Sequence, residues 1–193
     1  MEPYYEGNLV INSRELVYKG IFRVDELFQE IHKALQERGY TPREKKSEEL
    51  VTEAGRKTFV ELRPFKVKTN YATLMIALRI TLDNVTETRE VVAGEKQKFQ
   101  KGDISIIFDA WLLTDYQRRW GMKPFVYFMK GIINKYLYKF PLEAQFPGEL
   151  TEDTAFIYGR IKKLLNSYTP KSRNKILTEK EVMKEMEEEM KKE

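Results

Sequence analysis

Residues 102–140 read GDISIIFDAWLLTDYQRRWGMKPFVYFMKGIINKYLYKF, an alternating extended run that leads straight into an aromatic-rich helical one. Side chains along a strand point to opposite faces in turn. Residues 103–115 therefore place Ile104, Ile106, Phe108, Ala110 and Leu112 on one face, and Ser105, Ile107, Asp109, Trp111 and Leu113 on the other. Both faces are largely apolar, whereas a sheet solvated on one side alternates more cleanly into polar positions. Each face needs a cover over part of its length. The nearest candidate follows in the chain: Pro124 suits the first turn of a helix, and Phe125, Phe128, Met129, Ile132 and Tyr136 recur at helical spacing. This pattern predicts a long helix over residues 123–140.

Working back from this stretch, residues 71–82 (YATLMIALRITL) form the strongest other strand signal, with Leu74, Ile76, Leu78 and Ile80 on one face. Its expected partner is the strand 103–115. Residues 84–92 and 96–101 extend the two arms into one long hairpin that turns at 93–95, with Gly102 as a bulge. A three-residue turn sets Arg79 opposite Asp109, and a bulge at Gly102 shifts this by one. A charge in so apolar a sheet is costly unless matched, so these two are expected to form a structural ion pair.

The remaining elements follow from local pattern. Residues 15–22 read as a strand, preceded by an N-terminal arm over 1–14. Asp25 has the chemistry of a helix N-cap, and Leu27, Phe28, Ile31, Ala34 and Leu35 form one stripe that stops at Gly39. Two strands, 43–52 and 57–68, meet near Ala54-Gly55, and Pro64 inside the second demands an edge or a bulge. Thr151 is expected to open a further helix carrying Ile157, Ile161, Leu164, Leu165 and Tyr168. Residues 15–170 thus make a single α+β domain. A basic linker and charged helical tail fill 171–193, where Val182, Met183, Met186 and Met190 make a narrow stripe.

Composition narrows the functional classes. With 193 residues, 41% hydrophobic, the chain supports one substantial core. Cysteine is absent, so there is no disulfide framework. No apolar run approaches the ~20 residues that span a bilayer, and MEPYYEGN has no secretion pattern, so a cytoplasmic protein is expected. The 33% of charged residues, rich in Glu, Lys and Arg, fits a thermophile-like surface. The tail carries seven basic and seven acidic residues, which leaves the whole net charge of +4 on the body.

The element order, with the apolar strand 103–115 leading into the helix 123–140, resembles the helix-grip fold of the START and polyketide-cyclase-like (SRPBCC) proteins over residues 15–140. The resemblance implies a curved antiparallel sheet wrapping a long helix, here with an extra C-terminal helix and a helical tail. It also implies an apolar ligand held between sheet and helix. Locally, DAWLLTDYQRRW and KPFVYFMKGIINKYLYK are similar to a group of small archaeal proteins that carries no activity to transfer.

Three functional expectations follow. The first is a non-enzymatic binding protein for a hydrophobic small molecule or lipid, its site lined by Trp111 and Leu113 from the sheet and Phe128, Ile132 and Tyr136 from the helix; a cavity of roughly 300 Å³ or more distinguishes it from a filled core. The second is an RNA- or ribosome-associated protein. Residues 116–142 hold no acidic residue, and Arg118, Arg119, Lys123, Lys130 and Lys135 stand among aromatic rings that include Trp120, as a single-stranded nucleic-acid surface requires. The same rings also suit a packed core with snorkelling lysines. The third is an assembly subunit that self-associates or docks on a protein partner through residues 178–193. His32, the one histidine, flanks an apolar stripe with no nucleophile or carboxylate at fixed spacing. No phosphate loop, dinucleotide fingerprint or metal-ligand cluster occurs, so no catalytic residue, cofactor or metal is expected.

Overall fold

The computed structural model describes residues 6–52, 55–69, 72–92, 95–114 and 145–168. They build an α+β fold of one six-stranded antiparallel open sheet and two helices. In chain order these are β1 (Glu6–Phe22), α1 (Val24–Glu37), β2 (Glu44–Thr52), β3 (Gly55–Leu62), β4 (Phe65–Val67), β5 (Ala72–Val92), β6 (Glu95–Thr114) and α2 (Phe146–Ser167). The strand order is β1-β6-β5-β3-β2, with β4 pairing β5 beyond the end of β3.

Parity along β5 and β6 decides where the core lies. Ile76, Leu78, Ile80 and Leu82 pair with Ala110, Phe108, Ile106 and Ile104, and all eight are buried. Phe108 meets Tyr158 of α2 at 5.6 Å between ring centroids, which puts α2 on this face. Leu27, Ile31, Ala34 and Leu35 of α1 and Leu150, Ile157, Ile161 and Leu165 of α2 complete one continuous core. Each such leucine or isoleucine, fully buried, stabilises the fold by roughly 1.5–3 kcal/mol. The two helices are also joined at the surface, where Arg160 of α2 reaches Glu30 at 2.5 Å and Glu37 at 3.0 Å on α1.

Several boundaries differ from the sequence expectation. β1 begins at Glu6 rather than at residue 15, so much of the expected N-terminal arm is sheet. Its pairing slips between Leu9 and Ile11 and again between Ile11 and Arg14, and those irregularities erase the alternation that marks a strand. α1 starts at Val24, with Arg23 as N-cap and no side-chain capping bond, which leaves Asp25 within the first turn. Gly39, at φ +74°, closes that helix in the left-handed conformation that glycine adopts freely. Pro64 does not ride in an edge strand. Lacking an N–H, it separates β3 from β4, while its carbonyl accepts a bond from the Ile76 N–H at 3.1 Å. α2 starts at Phe146 with Pro147 in its first turn, and the Thr151 hydroxyl donates back to the Pro147 carbonyl at 2.9 Å instead of capping.

The register of the central hairpin also departs from expectation. Val92 pairs with Glu95, so two residues separate the arms, not three. Asn84 and Val85 of β5 both lie opposite Gly102 of β6, between the pairs Asp83↔Asp103 and Thr86↔Lys101. The bulge therefore belongs to β5. A Cβ on Gly102 would stand 2.8 Å from the Asp83 carbonyl oxygen, so the close approach of the two arms requires glycine there.

Candidate functional site

The second face of the sheet, turned away from α1 and α2, divides along its length. Toward the bulge it is polar and wet. Ser105 donates to Glu15 at 2.8 Å, and Lys19 pairs with Asp103 and Lys57 with Asp83 among half-exposed side chains. Toward the other end it is enclosed: Leu113 is fully buried, and Thr73, Met75 and Ala77 are buried beside it. None of these four belongs to the core beneath the helices.

Against this end lies a half-open cavity of about 810 Å³. Its apolar wall comprises Trp111 and Leu113 of β6, Met75 and Ala77 of β5, and Leu9 of β1. These residues converge because antiparallel pairing puts Gly7 beside Leu113, Leu9 beside Trp111 and Met75 beside Trp111. Gly7 makes room for the indole, since a Cβ there would meet Trp111 Cε3 at 3.1 Å.

The rest of the wall is charged: Arg79, Asp109, Glu61, Arg63 and Lys45, with Asn12 and Ser13. Arg79 and Asp109 are not directly opposite, because Arg79 pairs with Ile107 and Ala77 with Asp109. They share the face two positions apart, close enough for long side chains to meet diagonally, and an Arg79 terminal nitrogen donates to Asp109 Oδ2 at 2.5 Å. Asp109 Oδ1 accepts the Ser13 backbone N–H at 2.8 Å. Ser13 presents that N–H from a left-handed conformation, φ +51°, within the irregular part of β1. On the neighbouring strands Glu61 Oε1 accepts from Arg63 Nε at 2.7 Å and lies 3.4 Å from Lys45 Nζ. Burial alone would raise the Glu61 pKa, but Arg63 and Lys45 outweigh it and hold the carboxyl below its ordinary value.

Trp111 and Leu113 thus stand together in the cavity wall. The expected helix residues Phe128, Ile132 and Tyr136 lie outside the described residues, as do Arg118, Arg119, Trp120, Lys123, Lys130, Lys135 and the tail 171–193. Sequence reading missed the contributions of β1, β2 and β3. The signals available were the shared parity of Met75, Ala77 and Arg79 and the opposite charges of Glu61 and Arg63 two residues apart at the end of β3. His32 is exposed and its Nδ1 donates to the Phe28 carbonyl at 2.9 Å, a bond within one helical turn. Among the described residues no three His, Cys, Asp or Glu side chains are placed to hold a metal ion. No described helix is long and apolar enough to cross a membrane. No family model, no curated protein and no solved structure matches this chain.

Proposed function

We propose that this is a non-enzymatic binding protein that holds a hydrophobic small molecule or lipid against the second face of its sheet. One observation carries the reading: a cavity of about 810 Å³ with Trp111 and Leu113 in its wall. That volume falls in the range of small-molecule sites, about 300–1,000 Å³, and the wall is divided about equally between apolar and polar side chains, as an amphiphilic ligand requires. On the opposite face, beneath α1 and α2, Ile104, Ile106, Phe108, Leu78 and Ile80 are all buried in the core. The helix-grip resemblance implies a ligand between the sheet and an expected helix over 123–140; those residues lie outside the described ones, so the reading rests on the sheet side.

Native mass spectrometry of freshly purified protein, followed by calorimetric titration with decanol, tests the proposal. The expected result is a co-purifying small-molecule adduct or saturable decanol binding that Trp111→Ala weakens. A protein that carries no adduct and takes up no decanol overturns it.

A further inference from the structure

Among the described residues the cavity wall carries an unbalanced charge: three cations, Arg79, Arg63 and Lys45, share it with two carboxylates, Asp109 and Glu61, a surplus of one positive charge. Both carboxylates are already committed. Glu61 Oε1 serves Arg63 and Lys45 together, and Asp109 divides its oxygens between Arg79 and the Ser13 N–H. A guanidinium has five N–H donors in a planar fork. The side chains of Arg79, Arg63 and Lys45 are each between a third and a half exposed, so their terminal donors are open to an anion entering the cavity. An anionic head there exchanges water at these donors for charge-assisted hydrogen bonds.

Resting on the reading of this cavity as an apolar-ligand site, we infer that its occupant is an amphiphile with a single negative charge, a medium- or long-chain carboxylate. Its head sits among Arg79, Arg63 and Lys45, and its chain lies along Trp111 and Leu113. A head with two negative charges overshoots the surplus of one, and a neutral head leaves it unmatched. Asp109 acts as the tuning group: by occupying one end of the Arg79 guanidinium it sets the orientation of the fork and limits the net charge offered to the ligand.

The test compares decanoate with methyl decanoate by isothermal titration calorimetry on the full chain. Decanoate is expected to bind roughly tenfold or more tightly than the ester, the factor one charge-assisted hydrogen bond supplies. Lys45→Gln, a change at a half-exposed side chain, lowers decanoate affinity several-fold and narrows its margin over the ester. Asp109→Asn raises the surplus to two and tightens decanoate, which a purely structural role for the pair does not do. The double variant Arg79→Met with Asp109→Asn removes cation and anion together, so no buried charge is stranded, and it brings decanoate down toward the ester. Equal binding of acid and ester in every variant overturns the carboxylate inference and leaves the apolar cavity standing. Failure of both ligands to bind removes the cavity reading, and this inference with it.

Discussion

Lys66 Nζ lies 3.0 Å from Asp153 Oδ2, and 2.8 Å from Glu149 Oε1, so one ammonium on the short strand β4 holds two carboxylates of α2. Asp153 is buried to within 4% of its side-chain surface. Burial raises its pKa even with Lys66 alongside. Lys66 is pushed down by burial, but its bonds to Glu149 and Asp153 outweigh that and hold it above its ordinary value. Lys66→Met leaves the Asp153 carboxylate with Arg38, 3.6 Å away, as its one close cation among the described residues. Removing one partner of a buried pair costs about 3–5 kcal/mol, and the remaining arginine keeps the loss near the lower bound. Pairing Lys66→Met with Asp153→Leu recovers most of it. Urea unfolding of the single and double variants measures both values, and a single variant as stable as wild type removes the pair from the account of how α2 is held.

Acid stability follows from the same network with opposite signs on different groups. Burial tends to raise Glu149, but Lys66 and Lys68 outweigh it and hold it below its ordinary 4.5, as Arg63 and Lys45 do for Glu61. Between their folded values and 4.5 the unfolded chain binds more protons than the native one, so stability rises with pH. These contributions are complete above about pH 4.5 and are lost as pH falls through the folded values. Asp153 is raised, so its protonation favours the native state and offsets part of the loss. Glu149→Gln is therefore expected to flatten the acid limb of a plot of urea midpoint against pH, and Asp153→Asn to steepen it. The reverse order contradicts the assignment.

Parity was legible where it is local. The split of Ile104, Ile106 and Phe108 from Asp109, Trp111 and Leu113 needs nothing beyond the two-residue repeat of a strand, and the structure buries the first set under the helices. Register was not, because it depends on counts that a sequence does not display. One residue fewer between Val92 and Glu95 and one residue more on β5 opposite Gly102 shift the pairing by two positions, so Arg79 reaches Asp109 diagonally. The cavity was half legible for the same reason. Trp111 and Leu113 announce themselves as apolar groups on a face that needs a cover, whereas Leu9, Lys45, Glu61 and Arg63 reach the wall through pairing across distant strands. The slips between Leu9 and Arg14 hide β1 altogether from a search for alternation.

Two glycines should respond oppositely to alanine. On Gly102 a Cβ meets the Asp83 carbonyl oxygen at 2.8 Å and Val85 Cα at 3.2 Å, both backbone atoms of a paired strand with little room to yield. Gly102→Ala is expected to destabilise by about 1–3 kcal/mol, the usual cost of overpacking. Gly148 sits in the first turn of α2 with nothing within 4 Å of an added Cβ. Gly148→Ala should stabilise by up to about 1 kcal/mol through helix propensity. Thermal unfolding of the two variants beside wild type decides, and a tolerated Gly102→Ala places the arms further apart at the bulge than described.

Ser13 joins backbone conformation to the site. Its φ of +51° lies in the left-handed region, which costs an L-residue roughly 1–2 kcal/mol, and from there its N–H reaches Asp109 Oδ1 at 2.8 Å. Its hydroxyl adds only a long contact of 3.4 Å to the same oxygen. Glycine keeps the N–H and removes the conformational cost, so Ser13→Gly is expected to leave stability equal or slightly higher. A β-branched side chain fits that region worst, so Ser13→Val should destabilise by more than about 1 kcal/mol. Because Ser13 holds Asp109 from the side opposite Arg79, the valine variant should also change the preference for decanoate over its methyl ester, while glycine leaves it intact. Valine matching glycine in both stability and ligand preference would show that the left-handed turn at Ser13 does not set the position of the Asp109 carboxylate.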